Sequence, residues 1–225
     1  MKPALFVRLS RISLAGLALV LAGGCASLLP KASVQPTFYS LDGVRGRSGT
    51  VVAVPAGTPS AANTNAPTLV VNPPRAAAGF DSKRIIYTRD AHRMEYFSYS
   101  EWIDTPARML APLIVAAIEN SGHFRAVVPT PSAAVGDIKL DTEILRLQQE
   151  FGSGQSRVRL TLRAYLVDSV TRHVLAWREF DETVIAVSDD PYGGVVAANR
   201  AVQNVLAGVR ALGAEAVTEW GLPKR

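Results

Sequence analysis

The chain has 225 residues, 48% of them hydrophobic and 19% charged, with 24 Lys+Arg against 19 Asp+Glu. That length fits one domain of ordinary size plus a tail, and the apolar content excludes a wholly disordered chain. A single Cys excludes an internal disulfide framework and any Cys₄ or Cys₂His₂ zinc site.

Residues 1–11 carry Lys2, Arg8 and Arg11 and no acid, and residues 12–24 run without a charge. Such a run is too short to span a bilayer, where about 20 apolar residues are needed, but it suits the apolar stretch of an export signal. It ends Leu21-Ala22-Gly23-Gly24-Cys25, with small residues directly before the only cysteine. This resembles the bacterial lipoprotein signal, which implies cleavage after Gly24 and acylation of Cys25 on its thiol and new amine. An ordinary cleaved signal peptide, with Cys25 incidental, is the plainer alternative. Ala26 rather than an aspartate follows the cysteine, so the resemblance implies the periplasmic face of the outer membrane. Three acyl chains, at about 0.8 kcal/mol per buried CH₂, would hold the protein there in effect permanently. Three of the 24 basic residues and none of the 19 acidic ones lie in residues 1–24, so the mature chain carries about +2. That small, spread charge removes the electrostatic case for a nucleic-acid partner.

Residues 25–36 read as a tether, mixing Pro, Ser and Lys without periodicity, and span at most about 40 Å when extended. The domain is expected over residues 37–220. Residues 37–41 make a short strand stopped by Asp42-Gly43. Residues 55–67 contain only Pro, Ala, Gly, Thr, Ser and Asn and are expected to form a flexible loop. Residues 68–71 form a strand ended by Pro73-Pro74, which cannot continue a central ladder. Residues 84–88 and 93–99 suit a hairpin turning around residues 89–92.

Thr105 offers a helix cap with Pro106 at the first helical position, where a missing N–H costs nothing. Leu110, Leu113, Ile114, Ala117 and Ile118 then fall on one face, and Ser121-Gly122 closes the helix. Pro112 inside it removes one backbone bond and predicts a kink near Arg108. Residues 124–128 are extended. In residues 137–151 the apolar alternation of Ile138, Leu140 and Ile144 slips phase to Leu145 and Leu147, which predicts a bulge. After a turn at Gly152-Ser153-Gly154, residues 158–166 alternate apolar with Arg157, Arg159, Thr161 and Arg163, a strand with one wet face. Residues 174–187 supply its partner. A last helix opens at Asp190-Pro191, with Val195, Ala198, Val202, Val205, Val209, Leu212 and Ala216 on its apolar face. The order predicts a single α+β domain, a largely antiparallel or mixed sheet with two main helices on one face.

No phosphate-binding glycine loop or serine elbow is present, and His92, His123 and His173 are too scattered for a metal pair. The sequence therefore implies no cofactor, no metal and no catalytic residue. Asp141 and Glu143 alternate on one strand face, which suits general acid–base work and also suits a solvated sheet face. A secreted envelope hydrolase using that pair is the rival from another class; a deep pocket around it would favour the rival and an open face would not. Asp189 and Asp190 read as helix caps. The densest aromatic stretch holds Tyr96, Phe97, Tyr99 and Trp102, which reads either as a partner contact or as core packing beside the first helix.

Several short motifs then follow in order. They are Cys25; Tyr39-Ser40-Leu41-Asp42; Leu69-Val70-Val71 before Pro73; and Phe80-Asp81-Ser82 with Arg84-Ile85-Ile86-Tyr87 and Arg89. Tyr96 to Trp102 ahead of the amphipathic helix and Phe124-Arg125 with Val127 complete the series. This order, over residues 37–217, resembles the ABC-type transport auxiliary lipoprotein family, which includes the outer-membrane lipoprotein of the paraquat-inducible intermembrane transport system. The resemblance implies a non-enzymatic partner of an MCE-domain protein and an ABC permease and ATPase, moving lipids or other hydrophobic compounds. It also implies self-association into homo-oligomers. A stand-alone lipid- or lipopolysaccharide-binding lipoprotein remains the alternative.

Overall fold

The computed structural model describes residues 35–42 and 65–221. The leader at 1–24, Cys25, the tether up to residue 34 and the loop as far as residue 64 lie outside the described residues. In chain order the elements are β1 (Thr37–Tyr39), β2 (Thr68–Val71), β3 (Arg75–Ala76), β4 (Arg84–Thr88), β5 (Met94–Trp102) and α1 (Pro106–Glu119). They continue with β6 (Ala126–Pro129), β7 (Ile138–Glu150), β8 (Arg157–Asp168), β9 (Val174–Ile185) and α2 (Pro191–Trp220). Among the described residues all nine strands join one mixed sheet, and the fold is the expected α+β domain.

Strand β7 organises that sheet. Its 13 residues extend about 43 Å, long enough to hold three strands end to end along one edge. Leu69 to Val71 of β2 run parallel to Ile138 to Leu140, Arg75 of β3 pairs with Glu143, and Tyr87 of β4 pairs with Gln149. Along its other edge β7 pairs antiparallel with β8 over nearly its whole length, and β9 follows antiparallel to β8. On the far flank β4 pairs antiparallel with β5, and β1 lies parallel to β5 at one end of the sheet, while β6 lies parallel to β2 at the other.

The phase slip in β7 is a bulge, as expected. Ile144 pairs with Leu162 and Arg146 with Thr161, leaving Leu145 extra. Before it Ile138, Leu140, Thr142 and Ile144 are buried; after it Leu147 and Gln149 are. One inserted residue thus keeps apolar side chains inward on both sides of Leu145.

Helix α2 lies on β8 and β9, and every residue expected on its apolar face is buried, from Val195 through Ala216. Small side chains let it approach closely: a Cβ on Gly208 would stand 2.4 Å from the Phe180 ring. Its N-terminus is held by Asp190, whose Oδ1 accepts from the Gly193 N–H at 2.7 Å. Asp189 does not cap the helix. Its Oδ1 accepts from the Ser156 N–H at 2.7 Å, tying the β7–β8 hairpin to the helix start, and that bond lowers its pKa. Beside it Gln149, 2% exposed, donates from Nε2 to Ser156 Oγ at 2.8 Å and to the Asp190 carbonyl at 3.3 Å.

Helix α1 packs against α2 and buries Met109, Leu110, Ile114 and Ile118, with Leu113 and Ala117 half-buried. Thr105 occupies the cap position, but its side chain makes no capping bond; Asp104 Oδ1 accepts from the Thr105 N–H instead, at 2.8 Å. Pro106 begins the helix as expected. The two-residue strand β3 had no legible signal, since it is a strand only because β7 runs alongside it.

Candidate functional site

The aromatic stretch occupies β5, and the structure divides it. Trp102 is 3% exposed and belongs to the core. Phe97 turns toward that core and packs on Tyr87, ring centroids 4.5 Å apart, with Phe151 edge-on to Tyr87 at 5.6 Å. Arg89 covers the cluster, its guanidinium 5.2 Å from the Tyr87 ring and 5.6 Å from Phe151. Tyr96 and Tyr99 are 51% and 61% exposed.

A bulge causes the division. Ile86 of β4 faces Tyr96 and Arg84 faces Glu101, so four residues of β5 oppose the single Ile85. The surplus pushes Ser98 and Tyr99 outward; pairing with β1 begins at Ser100, opposite Thr37, and pairing with β4 resumes at Glu101. Arg84 lies over the Tyr96 ring at 4.0 Å, which orders an otherwise exposed side chain. Glu95 accepts from the Tyr87 hydroxyl and from Arg93 Nε at 2.8 Å. The bond from the Tyr87 hydroxyl lowers the Glu95 pKa and raises that of Tyr87.

Phe38 on β1 is also half exposed, as are Met94 at the start of β5 and Ile103 just after it. The β1–β5 edge therefore carries five large apolar side chains in water, and it is the edge the chain enters directly from residues 35 and 36. Exposed aromatics concentrated at one edge are the composition of a protein-contact surface rather than of a reaction centre. Sequence reasoning missed Phe38 and Met94, because neither stands in the aromatic run and only the parallel β1–β5 pairing brings Phe38 alongside.

Asp141 and Glu143 lie on the face of β7 turned away from the helices. Asn72 Nδ2 donates to Asp141 Oδ1 at 2.9 Å, and Glu143 stands in register with Arg163 of β8. Glu143 thus sits on an open sheet face, and Asp141 borders a shallow, open hollow beside Asn72 and Tyr165 rather than a deep pocket. His92 occupies the β4–β5 turn at φ 67°, His123 follows α1, and His173 follows Arg172 in the β8–β9 turn. Among the described residues no group of His, Cys, Asp and Glu could hold a metal ion, and no helix is long and apolar enough to cross a membrane.

The family model described as the ABC-type transport auxiliary lipoprotein component matches residues 51–209. A crystal structure of a Xanthomonas campestris protein of the DUF330 family superposes with a TM-score of 0.59 and 25% identity, over 65% of this chain and 84% of that one. A second crystal structure, of an uncharacterized protein, superposes with a TM-score of 0.59 and 11% identity, over 79% and 97% of the two chains, and shares the fold. No curated protein matches the sequence.

Proposed function

The chain belongs to the ABC-type transport auxiliary lipoprotein family, and from that premise we propose that it is a non-catalytic component of an MCE/ABC-type system carrying lipids or other hydrophobic compounds. The observation that carries this reading is the family match over residues 51–209, most of the folded domain. In this reading residues 1–24 are a discarded leader, Cys25 holds the acyl chains in the outer membrane, and residues 25–36 set the reach of the domain over residues 37–220. The protein works by position. The anchor fixes one end, and the exposed aromatic edge of β1 and β5 docks on the transport assembly. Two features support that assignment: the edge carries Phe38, Tyr96 and Tyr99 in water, and it follows the tether directly in the chain.

The test is affinity purification of the full lipidated chain from membranes of its native cell. Recovery of an MCE-domain protein with its permease and ATPase is the expected result. A clean purification that yields none of them, or sedimentation of the protein with the inner membrane, would overturn the assignment.

A further inference from the structure

The sheet face turned away from the helices holds a second constellation, which the docking edge does not use. Asp141, Tyr165 and Trp177 stand in one cross-strand row, Asp141 opposite Tyr165 and Tyr165 opposite Trp177. Residues in direct register project to the same side of a sheet. Their sequence neighbours Leu140, Ala164 and Leu166 are buried on the other side, so this row projects outward.

Trp177, 60% exposed, stacks on Tyr165 with ring centroids 6.1 Å apart and planes 19° from parallel. The indole flanks the phenol ring on the β9 side, and Asp141 is its neighbour on the β7 side. Beside Tyr165, Arg163 pairs with Glu179 at 2.8 Å.

On the Asp141 side lies an open hollow of about 410 Å³, lined by Asn72, Pro73, Arg75, Asp141, Tyr165 and Val167 among others. That size falls in the usual range for ligand pockets. Its polar groups are fixed in advance. Thr130 Oγ1 donates to Asn72 Oδ1 at 3.1 Å, and Asn72 Nδ2 donates to Asp141 Oδ1 at 2.9 Å. The relay fixes the carboxylate and leaves its second oxygen for a ligand, while Arg75, exposed on the rim, offers donors.

We propose that this hollow is a saccharide subsite, taking a β-linked hexose whose flat C–H face lies on Tyr165 and whose polar substituents bond Asp141 and Arg75. A fixed carboxylate repels an anionic ligand. A lining rich in amide, carboxylate and guanidinium groups penalises an acyl chain, whose burial would strip them of water. A β-linked pyranose presents an apolar face and a polar rim together, and the hollow offers the complement of both.

The test is a titration of the full chain, in detergent, with chitotetraose, followed by tryptophan fluorescence and by NMR shifts, with α-linked maltotetraose as control. The expected result is saturable binding with a Kd of about 1 mM or tighter, and shifts centred on Asp141, Tyr165 and Trp177. Tyr165→Ala and Asp141→Asn each weaken it at least about tenfold without lowering the melting temperature. No saturation by about 10 mM, shifts mapping elsewhere, or binding indifferent to both substitutions would overturn the subsite. An equal response to maltotetraose would overturn the β-linked assignment. Should either variant melt early, Arg75→Ala, on an exposed side chain, gives the same reading.

Discussion

Asp181 on β9 is held ionised by Arg159, whose guanidinium grips both carboxylate oxygens, and by the Thr161 hydroxyl at 2.9 Å; its pKa falls to about 2. A folded value below the unfolded value of about 3.9 adds stability above about pH 4, and that stability disappears as the pH drops through about 2. The side chain is 39% exposed, so water screens the pair and leaves about 0.5–1 kcal/mol. Asp181→Asn should lose that amount at pH 7, and urea titrations should show the gap closing near pH 2. A gap that persists in acid would assign the effect to packing. At Gly193 a different contest is settled by distance. Alanine is the better helix former by about 1 kcal/mol, but its Cβ would stand 2.2 Å from the Ser188 carbonyl oxygen, a backbone atom that cannot step aside. Gly193→Ala should therefore destabilise by about 1–3 kcal/mol in thermal melts. Gly152→Ala, with nothing within 4 Å of the added carbon, should stay within about 0.5 kcal/mol.

At the scale of elements, β5 separates structure from contact along one strand. Trp102→Ala should cost about 3–5 kcal/mol by opening the core. Tyr99→Ala should change stability by less than about 0.5 kcal/mol while reducing recovery of the transport partner in pull-downs. Equal destabilisation by the two would mean that the β5 bulge is a packing device. Strand β7 makes a similar point about register. Deleting Leu145 would turn Leu147 and Gln149 to the solvent face or Leu140 and Ile144 out of the core, a loss of about 3 kcal/mol or more in denaturant unfolding. The Leu145 bulge was legible because apolar alternation changes phase at a single residue. The face of α2 was legible for the same reason, as its period is long and uninterrupted. The larger bulge in β5 was not, since Tyr96 to Trp102 is polar and aromatic by turns and offers no clean alternation to break. The parallel pairings of β2, β3 and β4 were hidden too, because they depend on residues some 60–70 positions away. The hollow beside Asp141 shares that origin: Asn72 and Asp141 meet only through the β2–β7 pairing.

For the whole molecule, fold and attachment should separate. Cys25→Ala should leave the melting temperature of the domain unchanged and release the protein from the membrane fraction into the soluble one. Retention in the membrane fraction would mean that the domain binds there by its own surface.

The dependence of three strands on β7 also sets the order in which the chain can fold. Residues 68–88 precede residues 138–150 in the chain, so β2, β3 and β4 have no neighbour to pair with along that edge until β7 is in place. Hairpin β7–β8–β9 and helix α2, built from near neighbours, can assemble first and offer a template on which the earlier strands then close. Until then the apolar run of β2 stays uncovered along its β7 side.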